Sequence, residues 1–155
     1  REIGAGATVD VEVHRGCRIR HELEAATRQD ARRPIDEAER EIETLPVDQA
    51  IKLHGRDDVV FVDIRDPREL DREGRIPGAF HCPRGMLEFW VDPESPYAKP
   101  VFAGPKRFLF YCASGWRSAL AAKTVQDMGL PNVAHIGGGY AAWREAGGPV
   151  ERPPA

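Results

Sequence analysis

From residue 45 onward the chain alternates short apolar runs with amphipathic stretches. Val59, Val60, Phe61, Val62, Asp63 and Ile64 form a run rich in β-branched and aromatic residues, the pattern of a strand covered on both faces. Residues 107–112 (Arg, Phe, Leu, Phe, Tyr, Cys) read the same way, and residues 133–136 make a shorter third run. Helical patterns lie between them. Residues 48–54 end at Gly55, and residues 67–73 open on Pro67 and stop at Gly74. Residues 118–128 set Leu120, Ala121, Val125 and Met128 on one stripe before Gly129, and residues 140–146 close the series. Residues 78–82 are predicted extended, residues 84–90 helical, and residues 92–105, with four prolines, a loop. Strand and helix in alternation predict a parallel α/β sheet covered on both sides, because parallel neighbours are joined by crossovers that are usually helices. Ligands meet such sheets at the carboxyl ends of the strands, here at residues 63–65 and at Cys112.

Residues 1–45 follow another pattern. A brief alternation of Val9, Val11 and Val13 gives way to a highly charged stretch from Arg18 to Glu43, within which Ile35, Ala38 and Ile42 are helically spaced. A short helix is expected over residues 34–43. The organisation read from these patterns is a partly helical N-terminal extension, residues 1–45, followed by one domain over residues 46–152.

Composition narrows the function classes. The 25 acidic and 22 basic side chains are mixed along the chain, and no basic block is present to neutralise a phosphate backbone or an anionic membrane. Nucleic acid is therefore not expected as a partner. No apolar run approaches the roughly 20 residues of a membrane span. Cys17, Cys82 and Cys112 form neither a CxxC pair nor an even disulfide framework, and the five His residues are scattered, so neither metal nor cofactor is expected. This cysteine usage fits a reducing compartment, and the cytoplasm is the expectation. No signal-like apolar stretch is seen, but the chain opens on Arg1 rather than Met, so a periplasmic location stays open.

Cys112 closes an apolar strand, and Ala113, Ser114, Gly115, Trp116 and Arg117 lead from it to the helix predicted from Ser118. Strand, tight loop and helix in this order let successive backbone N–H groups converge on one point. Gly115 removes the steric bar to positive φ, the helix N-terminus adds partial positive charge, and Arg117 adds a full one. The thiolate, not the thiol, is the nucleophile, so such a loop suits an anionic, reactive sulfur. Read without its loop, the same cysteine is a buried apolar strand end.

These residues resemble a known family. Val62, Asp63, Ile64, Arg65 and Asp66 with Glu69, then Gly74, Arg75, Ile76, Pro77, Gly78 and Ala79, then residues 112–118, and finally Gly137, Gly138 and Gly139 with Trp143 and Gly147 follow the order and spacing of a single-domain rhodanese. Arg75 stands where that sulfurtransferase family more often has His. The resemblance implies a rhodanese-like five-stranded parallel sheet with helices on both faces. It also implies a persulfide mechanism without a cofactor. Cys112 would take a sulfane sulfur from a small donor anion such as thiosulfate and hand it to a nucleophilic acceptor such as cyanide or a thiol. Backbone N–H groups of Ala113, Ser114, Gly115, Trp116 and Arg117 would hold the negative charge on the transferred sulfur, with hydroxyls from Ser114 and Ser118. The alternative is a catalytically silent rhodanese module acting in binding or regulation. Phosphatases share the fold, but their loops hold five residues between Cys and Arg, whereas this one holds four and offers a narrower ring of donors.

Other residues carry weaker expectations. Asp63 and Arg65, beside the loop, are expected to hold it rather than to touch substrate. Arg84 is a candidate to face an incoming thiosulfonate. Cys82 is expected to be a small side chain in a packed turn rather than a resolving thiol. Gly137, Gly138 and Gly139 lack the Lys-Ser or Lys-Thr of a phosphate loop and are expected to allow close backbone packing. Phe89, Trp90, Tyr97 and Phe102, in or beside the Pro-rich loop, are expected to pack locally, to cover the site mouth or to join a homodimer.

Overall fold

The computed structural model describes residues 28–153, so Cys17 and the Val9, Val11, Val13 alternation lie outside the described residues. The elements follow in the order α1 (Arg32–Glu41), β1 (Glu43–Leu45), α2 (Val47–Leu53), β2 (Val59–Asp63), α3 (Pro67–Glu73), β3 (Phe80–His81) and α4 (Leu87–Val91). They continue with β4 (Arg107–Tyr111), α5 (Trp116–Asp127), β5 (Val133–Ile136) and α6 (Gly139–Glu145). The five strands form one sheet in the order β1-β5-β4-β2-β3, with every neighbouring pair parallel. The sheet is the covered parallel α/β architecture that the alternation of apolar runs and helices predicts.

Successive side chains on a strand point to opposite faces, and this period sorts the core into two layers. Val62, Phe108, Phe110 and Cys112 join Ile35 and Ala38 of α1, Leu87 of α4, and Ala119, Ala122 and Val125 of α5 on one face. Phe61, Leu109, Tyr111 and Ile136 join Ala50 of α2 and Tyr140 and Trp143 of α6 on the other. Cys112 therefore belongs to the α1–α5 face, and Trp143 anchors the opposite one.

Three features beyond the predicted elements have physical reasons. Helix α1, within the stretch read as the N-terminal extension, packs into the core of the sheet. Ile35, Ala38 and Ile42 are the helically spaced apolar positions, and burying them places α1 in the core. Leu45 is the one buried residue of β1, so this three-residue edge strand shows no apolar run in the sequence although it pairs with β5. Helix α5 begins at Trp116, because Gly115 at φ 99° turns the chain into the helix two residues earlier than predicted. Within the Pro-rich stretch, Pro100–Ala103 forms a 3₁₀ turn that buries Phe102 against Phe80 and Phe108, with ring centroids 5.7 and 5.5 Å apart. Phe89 and Tyr97 stay exposed. No helix among the described residues is long and apolar enough to cross a membrane.

Candidate active site

The sheet presents Cys112 immediately after β4, at its carboxyl end, with the thiol buried. Two backbone N–H groups point at the sulfur: that of Gly115 donates to Sγ at 3.2 Å and that of Ser118 at 3.4 Å. The Ser118 hydroxyl lies 3.6 Å from Sγ. Ser118 is in the first turn of α5, whose leading N–H groups have no intrahelical carbonyl to bond and carry the positive end of the helix dipole. The pocket around the sulfur is thus built from N–H dipoles rather than from a base.

The glycines expected to allow close packing hold this loop from behind. Gly139 has φ +62°, and a Cβ there would lie 2.5 Å from the Cys112 carbonyl oxygen and 2.8 Å from that of Ala113. In its absence the first turn of α6 fits against the loop. The N–H of Tyr140 donates to the Cys112 carbonyl at 2.8 Å and that of Ala141 to the Ala113 carbonyl at 3.0 Å. With their carbonyls tied back in this way, Cys112 and Ala113 are held by α6 while α5 supplies donors to the sulfur.

Arg117 is fixed from a third direction. Its Nη1 and Nη2 donate to Oε2 and Oε1 of Glu69, each at 2.8 Å. Glu69 also closes the capping box of α3, accepting the Asp66 N–H at 2.9 Å while Asp66 accepts that of Arg68 at 2.8 Å. The hydrogen bond from Arg117 is the main reason that the Glu69 carboxyl is held down at about 2, and the same pairing raises Arg117 further above its ordinary value. Ser114 and Trp116 are exposed at the loop surface.

Asp63 and Arg65 are both buried and paired with each other. Arg65 Nε donates to Asp63 Oδ1 at 3.0 Å and Nη2 to Oδ2 at 2.7 Å, and Nη2 also reaches the Gly74 carbonyl at 2.8 Å. The guanidinium lies over the Tyr140 ring, 4.3 Å from its centroid. The pair therefore ties the end of β2 to the end of α3 and to α6. Arg84 is turned to Glu88, with Nη1 donating to Oε1 at 2.5 Å, so its charge is engaged within its own segment. Cys82 is fully buried, and burial pushes its thiol up to about 12.

One participant has no counterpart among the sequence expectations. Ser118 Oγ lies 3.0 Å from Nδ1 of His135, and His135 Nε2 lies 2.9 Å from Thr44 Oγ1. His135 is buried, and burial lowers it to about 4. Among the described residues, no group of three or more His, Cys, Asp or Glu side chains is placed to hold a metal.

The fold is thus a parallel α/β domain with a buried cysteine at a strand end, faced by helix-terminal N–H groups. The model of the rhodanese-like domain matches residues 46–146, and the chain belongs to that family. A sulfurtransferase of Allochromatium vinosum is 32% identical over 102 residues, 66% of this chain and 87% of the relative. A thiosulfate sulfurtransferase GlpE of Pseudoalteromonas translucida is 28% identical over 102 residues, 66% of this chain and 89% of the relative. Among solved structures, a Rhodopseudomonas palustris protein of unknown function, described as a possible tyrosine phosphatase, is 64% identical. It matches with a TM-score of 0.78 over 79% of this chain and 95% of its own. The relatives named sulfurtransferase, at about 30% identity, support a sulfurtransferase of the rhodanese type.

Proposed function

We propose that the protein moves a sulfane sulfur from a small donor anion such as thiosulfate to an acceptor such as cyanide or a thiol, through a persulfide on Cys112. The Cys112 thiolate attacks the outer sulfur of the donor. A new S–S bond forms, the S–S bond of thiosulfate breaks, and sulfite leaves with the bonding pair. The acceptor then attacks the outer persulfide sulfur, and Cys112 departs as thiolate. No separate general base is required when thiolate is both nucleophile and leaving group. The observation that carries this reading is the pair of N–H groups, from Gly115 and Ser118, aimed at Cys112 Sγ. The backbone N–H groups at the start of α5 and the hydroxyls of Ser114 and Ser118 are the donors proposed for the outer sulfur.

Intact mass spectrometry after incubation with thiosulfate tests it. One added sulfur atom, lost again on treatment with cyanide, is the expected result. An unchanged mass would overturn the reading in favour of a silent binding module.

The description of the Rhodopseudomonas relative raises phosphoryl transfer as a second reading. Between Cys112 and Arg117 stand four residues, a shorter loop with fewer backbone N–H groups to ring a phosphate, and Arg117 is turned to Glu69 by two of its five N–H donors. A terminal sulfur needs fewer donors than three phosphoryl oxygens. Aryl phosphates are expected to be left intact, and hydrolysis that vanishes in Cys112→Ser would reverse this choice.

A further inference from the structure

From the sulfur, hydrogen-bond contacts run through Ser118 and His135 to Thr44, from the core to the sheet edge. Cys112, Ser118 and His135 are buried, whereas Thr44 on edge strand β1 is exposed. Strand register builds the line, since His135 is paired with Thr44 in β1 and with Phe110 in β4. The strand alternation that puts Phe110 and Cys112 on the α5 face puts His135 there too, where an apolar residue would be at home. An imidazole in that position is costly to desolvate, and it is retained with both ring nitrogens engaged, at 3.0 Å to Ser118 and 2.9 Å to Thr44.

The Ser118 hydroxyl has one proton and two neighbours that can take it, Cys112 Sγ and His135 Nδ1. When the sulfur is a thiol, S–H donates to Ser118 Oγ, the Ser118 O–H donates to His135 Nδ1, and the Nε2–H of the ring donates to Thr44. When the sulfur is an anion, every donor must reverse: Thr44 O–H donates to Nε2, Nδ1–H donates to Ser118 Oγ, and the Ser118 O–H donates to sulfur. A neutral imidazole satisfies both arrangements by changing tautomer. A side chain charged or fixed in its hydrogen-bond sense satisfies only one.

We propose that His135 is a positioning residue whose tautomer sets the direction of the Ser118 hydroxyl, and that the Cys112–Ser118–His135–Thr44 line carries the thiol proton to the surface. Each step moves one proton to the next atom. The Sγ proton goes to Ser118 Oγ as the Ser118 proton goes to Nδ1; the Nε2 proton goes to Thr44 Oγ1 as the Thr44 proton goes to solvent water. Cys112 ends as thiolate, water as hydronium, and the three relay residues end neutral with the ring in its other tautomer. Of the charged groups around the sulfur, Arg117 acts on Cys112 from α5 and Glu69 of α3 is bound to Arg117, so neither stands in this line. Burial is the cause of the lowered basicity of His135, which keeps the ring neutral near pH 7. The inference rests on Cys112 being the reacting sulfur of the function proposed above.

The test is the ¹⁵N spectrum of the His135 ring in the full-length protein, which separates the two neutral tautomers from imidazolium. As the pH is raised and the sulfur passes from thiol to anion, the ring is expected to pass from the Nε2–H to the Nδ1–H form, and the thiosulfate-treated persulfide is expected to show the Nδ1–H form. Cys112→Ala is expected to remove the change over the same pH range. A tautomer that stays constant in wild type, an imidazolium at neutral pH, or a switch that persists in Cys112→Ala would each overturn the proposal. Thr44→Val, at an exposed position, keeps the test independent of core folding. It is expected to perturb the tautomer ratio and slow alkylation of Cys112, and wild-type values for both would remove Thr44 from the line. His135→Leu is expected to slow alkylation several-fold, with His135→Asn recovering part of the rate by restoring a partner for Ser118. Added sulfur with a constant tautomer would sink the relay and leave sulfurtransfer standing. A Cys112-dependent switch without added sulfur would do the reverse.

Discussion

Arg117 lies against Glu69 in a two-point pair, both hydrogen bonds 2.8 Å long, which joins the first turn of α5 to the first turn of α3. The positive charge next to Cys112 is thus partly compensated by a neighbouring carboxylate. Planar two-point pairing also fixes the guanidinium in one orientation.

This pair gives a pH dependence with a definite sign. The Glu69 carboxyl is lowered in the fold from an ordinary 4.5 to about 2, chiefly by the hydrogen bond from Arg117. Its stabilising contribution is complete above about pH 4.5 and fades as the pH falls towards 2. Glu69→Gln is expected to flatten the acid limb of the stability profile over that interval, measured by urea unfolding at a series of pH values. The same variant leaves Arg117 uncompensated, and KM for thiosulfate is expected to fall while kcat changes less. A KM that rises would show that Glu69 serves mainly to place Arg117.

His135 shifts the next interval up the scale. Burial lowers it from 6.5 to about 4, so the folded state binds its proton less readily than the unfolded chain. Stability is full above pH 6.5 and declines as the pH falls towards 4, by roughly 3 kcal/mol for a shift of this size. His135→Asn is expected to be less stable than wild type at pH 7 but to lose little more between pH 6.5 and 4. A wild-type slope retained in the variant would assign the acid sensitivity to other groups.

Asp63 and Arg65 make a separate prediction, because both charges are buried. Arg65→Met leaves the Asp63 carboxylate without its partner, and a loss of about 3–5 kcal/mol in chemical unfolding is expected. Arg65→Lys should rescue little, since an ammonium cannot bond both carboxylate oxygens and the Gly74 carbonyl in the plane that stacks on Tyr140. Asp63→Leu combined with Arg65→Met is expected to recover part of the loss. Full stability in Arg65→Met alone would mean that the pair does not hold β2 to α3.

Much of the sheet is legible in the sequence because its central strands are buried on both faces, and Val59 to Val62 and Phe108 to Tyr111 therefore read as unbroken apolar runs. Pro67 and Gly74 mark the ends of α3 by their own backbone preferences. Strand β1 escapes because an edge strand needs only Leu45 to be apolar, and pairing of its backbone leaves no pattern. The Cys112 loop is visible because its chemistry is local, a cysteine, a glycine and an arginine within six residues. His135 is not, since its link to Ser118 depends on α5 lying over β5, a contact between residues 17 apart that no periodicity encodes. A polar residue in the otherwise apolar run Val133, Ala134, His135, Ile136 was the one available signal. Arg84 shows the opposite case, because an arginine near a strand end suggests an anion site until Glu88, one helical turn on, is seen to pair with it.

The two buried cysteines of the described residues differ in what surrounds the sulfur, and this separates their chemistry. Cys82 sits in the apolar core, where burial pushes its thiol up to about 12, so it carries almost no thiolate at neutral pH. Cys112 is equally hidden, but the N–H groups of Gly115 and Ser118 point at its sulfur. Cys112→Ser is expected to abolish both sulfur loading and thiosulfate:cyanide transfer, because a serine hydroxyl cannot form the persulfide. Cys82→Ser is expected to lose some stability by placing a hydroxyl in the core, yet to keep most of its transfer rate when assayed well below its melting temperature. Loss of turnover in Cys82→Ser with sulfur loading intact would place Cys82 in the release step and make the mechanism a dithiol one. Loss of loading itself in a folded Cys82→Ser protein would remove Cys112 as the sole carrier.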